Sequence, residues 1–242
     1  MKLSEICTTV NLAESKSTLD YSDVIKKIKK QFDLIGYKKI GGGGDATVWA
    51  PKDISDFAIK FIVSSEDDEI AEKIFNDFYE YCKSHKSNPH LPKFHETNTV
   101  EIDGVNYLQI DMERLIDIKD QFIEALVWHF SDYACNHKSW KEVCDNLGTE
   151  KDVEKSEDTW RTYKASNLGI PASRLNKIDT KKMVERFINE KNQYKKLYYT
   201  MCELLDIGKE KSFGWDLHTK NVMQRPNGEI VIIDPWFGEF SQ

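Results

Sequence analysis

The sequence predicts an α+β fold with a small β-rich N-terminal part and a mainly helical C-terminal part. Three observations favour this class. Residues 36–63 alternate apolar stretches with turn residues, as expected of short strands. Apolar residues then recur at helical spacing between about Asp117 and Gly208. Two short apolar stretches near the end of the chain flank Asn227-Gly228, a pair typical of a tight hairpin.

On this pattern the chain divides into three segments. Residues 1–36 are predicted to form an N-terminal arm with an amphipathic helix at Tyr21–Phe32. Residues 37–115 are predicted to form the β-rich part, and residues 116–242 the helical part with the hairpin.

The β-rich part is predicted to contain one helix among its strands. Ser65 is a suitable N-cap because three acids follow it, and the helix should end near Lys83. Its apolar face would comprise Ile70, Ile74, Phe78 and Tyr81. The strands are predicted at Tyr37–Ile40, Thr47–Ala50, Phe57–Val63, Thr99–Ile102 and Val105–Met112.

In the helical part, apolar residues at helical spacing predict buried helix faces. These residues are Phe122, Ile123, Leu126, Val127, Phe130, Met183, Phe187, Ile188, Leu197, Met201, Leu204 and Leu205. The charged, turn-rich residues 148–160 are predicted to form a surface loop. The final strands are predicted at Asn221–Gln224 and Glu229–Ile233, joined by a tight turn in which Asn227 and Gly228 both tolerate positive φ.

The composition is that of a folded globular protein. Of the 242 residues, 40% are hydrophobic and 31% are charged, which argues against a disordered chain. The formal net charge of −7 argues against direct nucleic-acid binding, and no apolar stretch is long enough to cross a membrane. The five cysteines contain no CxxC pair, which favours reduced thiols in the cytoplasm. His85, His90 and His95 lack the helical spacing of paired zinc ligands, which disfavours a zinc site.

A glycine run lies between the first two predicted strands. Gly41, Gly42, Gly43 and Gly44 can be aligned with the phosphate-binding pattern G-x-G-x-x-G-x-V, in which Ala46 replaces the third glycine and Val48 keeps its place. Glycines let backbone N–H groups come close to phosphate oxygens. The alternative is a flexible turn between two strands.

Lys60 interrupts the apolar strand that follows this run. An ammonium group inside such a strand loses hydration unless it has a partner or faces a cleft. A role in binding the α- and β-phosphates of a nucleotide would satisfy this requirement. The alternative is an edge-strand lysine that points to water.

Three polar residues near the end of the chain have the spacing that phosphoryl transfer requires. Asp216 is followed five residues later by Asn221, and Asp234 follows the hairpin. One carboxylate can position an acceptor hydroxyl, while an amide oxygen and a second carboxylate can hold Mg²⁺. Taken singly, Asp216 could instead cap a turn and Asp234 could simply end a strand.

These residues resemble the protein-kinase-like superfamily from about Tyr37 to Trp236, with a weakly matched middle. The loop Trp215-Asp216-Leu217-His218-Thr219-Lys220-Asn221 departs from the usual kinase loop at Trp215 and His218. Its D-L-H-x-x-N form is similar to aminoglycoside and choline phosphotransferases and to the early serine/threonine protein kinases of short-tailed coliphages. The resemblance implies a bilobal kinase-like fold that binds ATP and Mg²⁺ between its lobes.

The resemblance also implies roles for individual residues. Asp216 would be the catalytic base or would orient the acceptor, and Asn221 and Asp234 would hold the metal. Lys60 and the glycine run would bind the phosphates. Met112 would be the gatekeeper, while the Glu113 carbonyl and the Leu115 amide would face the adenine. The acid that pairs with Lys60 is left open among four residues of the following helix, which are Glu69, Glu72, Asp77 and Glu80.

Only eight residues follow Asp234. If the protein ends there, an activation segment and further substrate-binding helices would not fit after Asp234; the alternative is that the sequence is a piece of a longer protein. This shortness favours a compact kinase, truncated shortly after the metal-binding Asp234, in which residues 117–210 supply the acceptor platform. Control by phosphorylation of an activation loop is therefore not expected.

The resemblance implies a phage-encoded serine/threonine kinase that phosphorylates host proteins in the bacterial cytoplasm. A small-molecule kinase is the first alternative, and its acidic acceptor pocket could include Asp132, Asp145, Glu154 or Glu157. A kinase-fold interaction module and a nucleotidyl transferase with a reversed ATP pose are further alternatives.

Overall fold

A computed structural model describes most of the chain, namely residues 36–42, 46–53, 56–64, 69–102, 105–175 and 177–239. The N-terminal arm, its predicted helix and the glycines Gly43 and Gly44 lie outside the described residues. The chain divides into two units, Met1–Leu115 and Ile116–Gln242.

The N-terminal unit contains one antiparallel sheet and one helix. Its elements are β1 (Tyr37–Gly42), β2 (Ala46–Pro51), β3 (Phe57–Ser64), helix α1 (Glu69–Ser84), β4 (Phe94–Ile102) and β5 (Val105–Glu113). The strands lie in the order β1-β2-β3-β5-β4, so the strongly apolar β3 occupies the centre of the sheet. All five predicted strands are confirmed, although β4 begins five residues earlier than expected.

The two faces of this sheet differ in composition. Opposed residues on antiparallel strands point to the same face, and successive residues alternate between faces. One face carries the buried cluster Trp49, Ile59, Phe61 and Tyr107. Lys60 lies between Ile59 and Phe61 and therefore belongs to the other face.

Helix α1 packs against the Lys60 face of the sheet. The rings of Phe75 and Phe78 both meet Phe94 edge-on, at centroid distances of 5.7 and 6.3 Å, and Phe94 lies opposite Met112 of β5. The predicted apolar face of the helix is wrong at Ile70, which is 41% exposed. The buried stripe instead begins at Phe75, because only the residues beyond the first turn of the helix reach the sheet.

The C-terminal unit is mainly helical. Its helices are α2 (Gln121–Cys135), α3 (Trp140–Leu147), α4 (Glu150–Leu168), α5 (Thr180–Asn189) and α6 (Lys191–Glu210). Its short strands are β6 (Ile116–Asp117), β7 (Phe213–Trp215), β8 (Val222–Gln224), β9 (Ile230–Ile232) and β10 (Trp236–Glu239). They form two antiparallel sheets, β6-β8-β9 and β7-β10. The predicted α+β class is thus confirmed.

The predicted apolar residues of α2 and α6 are all buried. The prediction is wrong at Ile188 in α5, which is 54% exposed. Met183 and Phe187 lie one turn apart on the buried face, so the next residue, Ile188, is rotated by about 100° away from the core.

The prediction of a surface loop at residues 148–160 is also wrong, because most of them belong to α4. Val153 and Trp160 are buried, but between them the inward face carries Glu157, which forms an ion pair with Arg161 at 3.3 Å. Arg161 also donates to the carbonyls of Ala172 and Leu175. Since this charged pair occupies the buried face, the apolar periodicity of the helix is weak in the sequence.

The hairpin between β8 and β9 is present, but its turn differs from the prediction. The amide of Gly228 donates to the carbonyl of Arg225 at 2.9 Å, so the turn spans these two residues with Pro226 and Asn227 in the middle. Only the glycine has positive φ, at 89°. Pro226 favours this arrangement because its fixed φ suits the second position of a type I turn. No helix among the described residues is long and apolar enough to span a bilayer.

Burial of His129 in α2 predicts a stability that depends on pH. The residue is 2% exposed, and burial lowers its pKa from 6.5 to about 4. The unfolded chain takes up a proton below pH 6.5, whereas the folded protein does not until about pH 4. The folded state should therefore lose roughly 3 kcal/mol of stability from this group as the pH falls through that window.

A His129→Leu variant should lack this part of the pH dependence. Urea unfolding of both proteins at pH 7.5 and at pH 4.5 would measure it. Equal losses of stability in the two proteins would contradict the assignment to His129.

Candidate functional site

The described glycines of the predicted phosphate loop lie at the end of β1. Gly41 lies opposite Val48, and Gly42 lies opposite Thr47. A Cβ on Gly42 would come within 3.0 Å of the Ala46 carbonyl oxygen, whereas a Cβ on Gly41 would meet nothing closer than Val48 at 3.8 Å. A side chain at position 42 would therefore be tightly packed, whereas the described fold leaves room for one at position 41.

Lys60 is half-buried in the middle of the sheet. It lies between Val48 on β2 and Ile110 on β5, and Met112 shares its face because it lies opposite Ala58. Three of the predicted nucleotide-binding residues, Val48, Lys60 and Met112, therefore share one sheet face. Their side chains combine two apolar groups with one ammonium group, a combination suited to a nucleotide with an apolar base and charged phosphates.

The predicted adenine-binding residues lie at the end of β5. Met112 and Leu115 are buried. Glu113 is bound to Lys93 twice, since its amide donates to the Lys93 carbonyl at 2.9 Å and its carboxylate accepts from the Lys93 amide at 2.8 Å. The Arg114 amide donates to the Asp56 carbonyl. These bonds hold the end of the strand in a defined conformation.

The four acids of α1 differ in their surroundings. Glu72 and Asp77 are half-buried, while Glu80 is exposed and pairs with Lys83 at 3.4 Å. Glu69 is the first residue of the helix. Since Glu80 is engaged on the surface, Glu72 and Asp77 are the better candidates to pair with Lys60.

In the C-terminal unit, Asp216 and Asn221 are in direct contact. The side-chain amide of Asn221 donates to the backbone oxygen of Asp216 at 2.8 Å and to its Oδ2 at 2.9 Å. Both N–H groups of this amide are thereby directed at Asp216, which turns the amide oxygen Oδ1 the other way. Asn221 thus orients the carboxylate and presents an oxygen that is suited to a hard cation.

His218 lies on the other side of the same carboxylate. Its Nδ1 accepts a hydrogen bond from the backbone amide of Lys220 at 3.1 Å, so the proton of the neutral ring is on Nε2. Nε2 faces Oδ1 of Asp216 at 3.5 Å. Asp216 is therefore held between Asn221 and His218, with its side chain partly open to solvent.

Backbone bonds bring Asp234 to this loop. The Ile233 amide donates to the Asn221 carbonyl, and the Asp216 amide donates to the Pro235 carbonyl, both at 2.9 Å. Asp234 lies between these two bonds and is half-buried. The hairpin therefore places the backbone of Asp234 beside the backbone of both Asp216 and Asn221.

The loop is also anchored to α2, through Ser131, a residue that the sequence did not single out. The indole N–H of Trp215 donates to Oγ of Ser131 at 2.9 Å, and the Ser131 hydroxyl donates to the Leu217 carbonyl at 3.1 Å. Ser131 thus connects the residues on both sides of Asp216. A separation of more than 80 residues gives no local sequence signal for this contact.

The structure also places the histidines considered as zinc ligands and the acids considered for a small-molecule pocket. Nδ1 of His85 lies 2.9 Å from the Tyr81 carbonyl, and no cluster of three His, Cys, Asp or Glu side chains suited to a metal occurs in the described part of the chain. Of the acids considered for a small-molecule pocket, Asp132, Asp145 and Glu154 are exposed on three different helices, while Glu157 is buried against Arg161. Glu157 therefore stabilises the fold through its ion pair with Arg161.

Comparison with solved structures finds two phosphotransferases among its matches. An aminoglycoside phosphotransferase from Alicyclobacillus acidocaldarius is 15% identical, with 91% of this chain and 67% of that chain covered and a TM-score of 0.33. The streptomycin-ATP-APH(2")-IIa ternary complex is 12% identical, with 90% and 71% covered and a TM-score of 0.29. No protein-family model and no curated protein matches the chain. Scores this low carry no argument about activity, so a function has to be argued from the residues themselves.

Proposed function

We propose that the chain is an ATP- and Mg²⁺-dependent phosphotransferase that transfers the γ-phosphoryl group to a hydroxyl group. The observation that carries this proposal is the contact between Asn221 and Asp216. One amide orients a carboxylate through two hydrogen bonds and presents its own oxygen to a cation. Phosphoryl transfer needs these two functions side by side, because catalysis depends mainly on positioning and on charge stabilisation.

In this proposal Asp216 binds the acceptor hydroxyl. The acceptor oxygen forms a bond to the γ-phosphorus, the bond from that phosphorus to the β–γ bridging oxygen breaks, and the hydroxyl proton passes to the Asp216 carboxylate. ADP is the leaving group. Because His218 and Asn221 contact opposite oxygens of Asp216, the carboxylate keeps one orientation during the transfer.

The donor set at Asn221 and Asp234 fits Mg²⁺, which prefers carboxylate and amide oxygens. When bound, the ion would neutralise phosphate charge that builds up during transfer. Asn221 would contribute Oδ1, the atom that its two donated hydrogen bonds turn away from Asp216. Asp234 would contribute its carboxylate from the adjacent segment.

Lys60 supplies the positive charge for the phosphates of ATP in this proposal. A Lys60→Met variant keeps the length and apolar stem of the side chain, so the sheet should fold normally, but the ammonium is lost. We expect kcat/KM for ATP to fall about a hundredfold, by analogy with the loss of one charge-stabilising donor. Initial rates against ATP concentration would measure it.

Lys93→Met is the matched control for this variant, because Lys93 is an exposed lysine of the same unit. Its rates should remain within about twofold of the wild type. A Lys60→Met protein with normal kcat/KM for ATP would remove Lys60 from the site.

Protein serine and threonine side chains are the first acceptor class that we propose, with host proteins in the bacterial cytoplasm as the targets. The support is the similarity of the Asp216–Asn221 loop and the Asp-Pro pair at 234–235 to phage protein kinases. The four acids considered for an acidic acceptor pocket do not gather at one place, because Glu157 pairs with Arg161 and the other three are exposed on three different helices. An aminocyclitol acceptor would need such a pocket.

A small-molecule kinase is the second candidate, because His218 gives the loop a form that is also found in aminoglycoside and choline phosphotransferases. The deciding experiment incubates the purified protein with γ-labelled ATP, Mg²⁺ and bacterial lysate. Label in protein supports the first candidate, and label only in small molecules supports the second. Transfer of label from α-labelled but not from γ-labelled ATP would indicate nucleotidyl transfer. Absence of transfer from either nucleotide would support a non-enzymatic interaction module.

A further inference from the structure

Trp236, two residues after Asp234, is anchored in helix α6. Its side chain is buried, with 5% of the residue exposed, and its indole Nε1–H donates to the Leu204 carbonyl at 2.8 Å. A buried indole N–H requires such a partner, because a buried donor without one is destabilising. The bond therefore fixes the position of the ring against the helix.

Gly208 makes room for this ring. A Cβ at position 208 would lie 2.7 Å from Nε1 of Trp236 and 2.9 Å from its Cδ1, closer than side chains pack. Glycine inside a helix usually destabilises the folded state relative to alanine. Gly208 lies within α6, so its presence there is explained by the indole that rests on it.

The anchored residue belongs to the segment that carries the proposed metal ligand. Trp236 pairs with Trp215 in the β7–β10 sheet, and the preceding Pro235 accepts from the Asp216 amide at 2.9 Å. On the other side, the Ile233 amide is bound to Asn221. Asp234 thus lies between Ile233 and Pro235, which are both hydrogen-bonded to the loop. The next residue, Trp236, is hydrogen-bonded to α6.

We infer that Trp236 and Gly208 are positioning residues that hold the Asp234 carboxylate beside Asn221. This inference rests on the proposed function, since it assigns a purpose to the anchor only if Asp234 binds the metal. Neither residue touches the reacting atoms. They act through the segment 234–236, which the buried indole keeps against the loop before any nucleotide binds.

Gly208→Ala tests the inference most sharply, because its expected effect is opposite to the usual one. At an ordinary helix position the change would stabilise the protein, but here the new methyl group should displace the indole. The first readout is hydrogen exchange of the Asp216 amide without nucleotide or metal, because that amide reports its bond to Pro235. We expect this exchange to become at least about tenfold faster.

The second readout is the affinity for Mn²⁺, measured by electron paramagnetic resonance in the presence of a non-hydrolysable ATP analogue. Loss of a group that orients a metal ligand typically weakens metal binding by about 10- to 100-fold, and we expect a loss near tenfold for Gly208→Ala. Trp236→Phe is the milder variant, since it keeps a ring but deletes the bond to Leu204. It should change both readouts in the same direction.

Two further variants control for general damage to the helix. Asp206→Ala alters an exposed residue of α6 two positions before Gly208 and should leave both readouts unchanged. In a Trp236→Leu background the clash is absent, so Gly208→Ala should have no further effect. Such non-additivity is the expected sign of direct contact between positions 208 and 236.

The outcomes separate this inference from the proposed function. If Gly208→Ala and Trp236→Phe both leave Asp216 exchange and Mn²⁺ affinity within about twofold of the wild type, the inference is overturned even if the enzyme is active. Equal effects of Asp206→Ala on both readouts would overturn it as well. If the wild type binds no Mn²⁺ with the analogue, the proposed function fails and the positioning role fails with it, whatever the exchange measurement shows about the anchor.

Discussion

An Asp216→Asn protein is expected to fold normally and to bind ATP but to transfer phosphate about a thousandfold more slowly. Asparagine has the same shape as aspartate, and its amide oxygen can still accept the hydrogen bond from Asn221. It cannot accept the proton of an acceptor hydroxyl, and it lacks the negative charge that orients that hydroxyl. The decrease should therefore appear in kcat, while the KM for ATP changes little.

Single-turnover transfer from γ-labelled ATP would measure this loss. Asp206→Asn is the matched control, since Asp206 is an exposed acid of α6 in the same unit. Its rate should equal that of the wild type. A kcat for Asp216→Asn within a few-fold of the wild type would show that Asp216 is not the group that receives the proton.

Asn221→Asp is expected to reduce transfer by a similar factor, even though it adds a better metal ligand. A carboxylate has no N–H groups, so both hydrogen bonds to Asp216 would be lost. It would also place a negative oxygen where the amide nitrogen now lies, 2.9 Å from Oδ2 of Asp216. Repulsion between the two carboxylates should turn Asp216 away and favour its protonated, inactive form.

The same change in the hairpin turn provides the control. Asn227 is exposed, and its Oδ1 accepts from the Glu229 amide, a bond that an aspartate can also make. Asn227→Asp should therefore leave the rate unchanged. Full activity of Asn221→Asp would mean that this residue serves only as a metal ligand, and the orientation of Asp216 would need another source.

Much of the fold was predictable where the signal is local. The apolar strand that contains Lys60 is central in the sheet, and the apolar spacing in α2 and α6 marks residues that are buried. The interval of five residues between Asp216 and Asn221 places both in one loop. These features depend on the few residues around each position, so their physical cause is present in the sequence itself.

Other features were mispredicted because the local signal was weak or ambiguous. The helix at Glu150–Leu168 was predicted as a loop, since a Glu157–Arg161 pair replaces apolar residues on its buried face. The turn at Asn227-Gly228 begins earlier than expected, because Pro226 favours the second turn position. In both cases two local preferences competed, and packing or backbone geometry decided between them.

The sequence by itself determined which chemical groups are present and which of them are near neighbours along the chain: a lysine within an apolar strand, and two acids and an amide around one hairpin. Only the tertiary structure decided how these groups are held. The amide of Asn221 faces Asp216, Ser131 ties the loop to α2, and Gly208 admits the indole of Trp236. The last two contacts join residues 28 or more positions apart, and their geometry depends on how the helices pack, which no short stretch of sequence specifies.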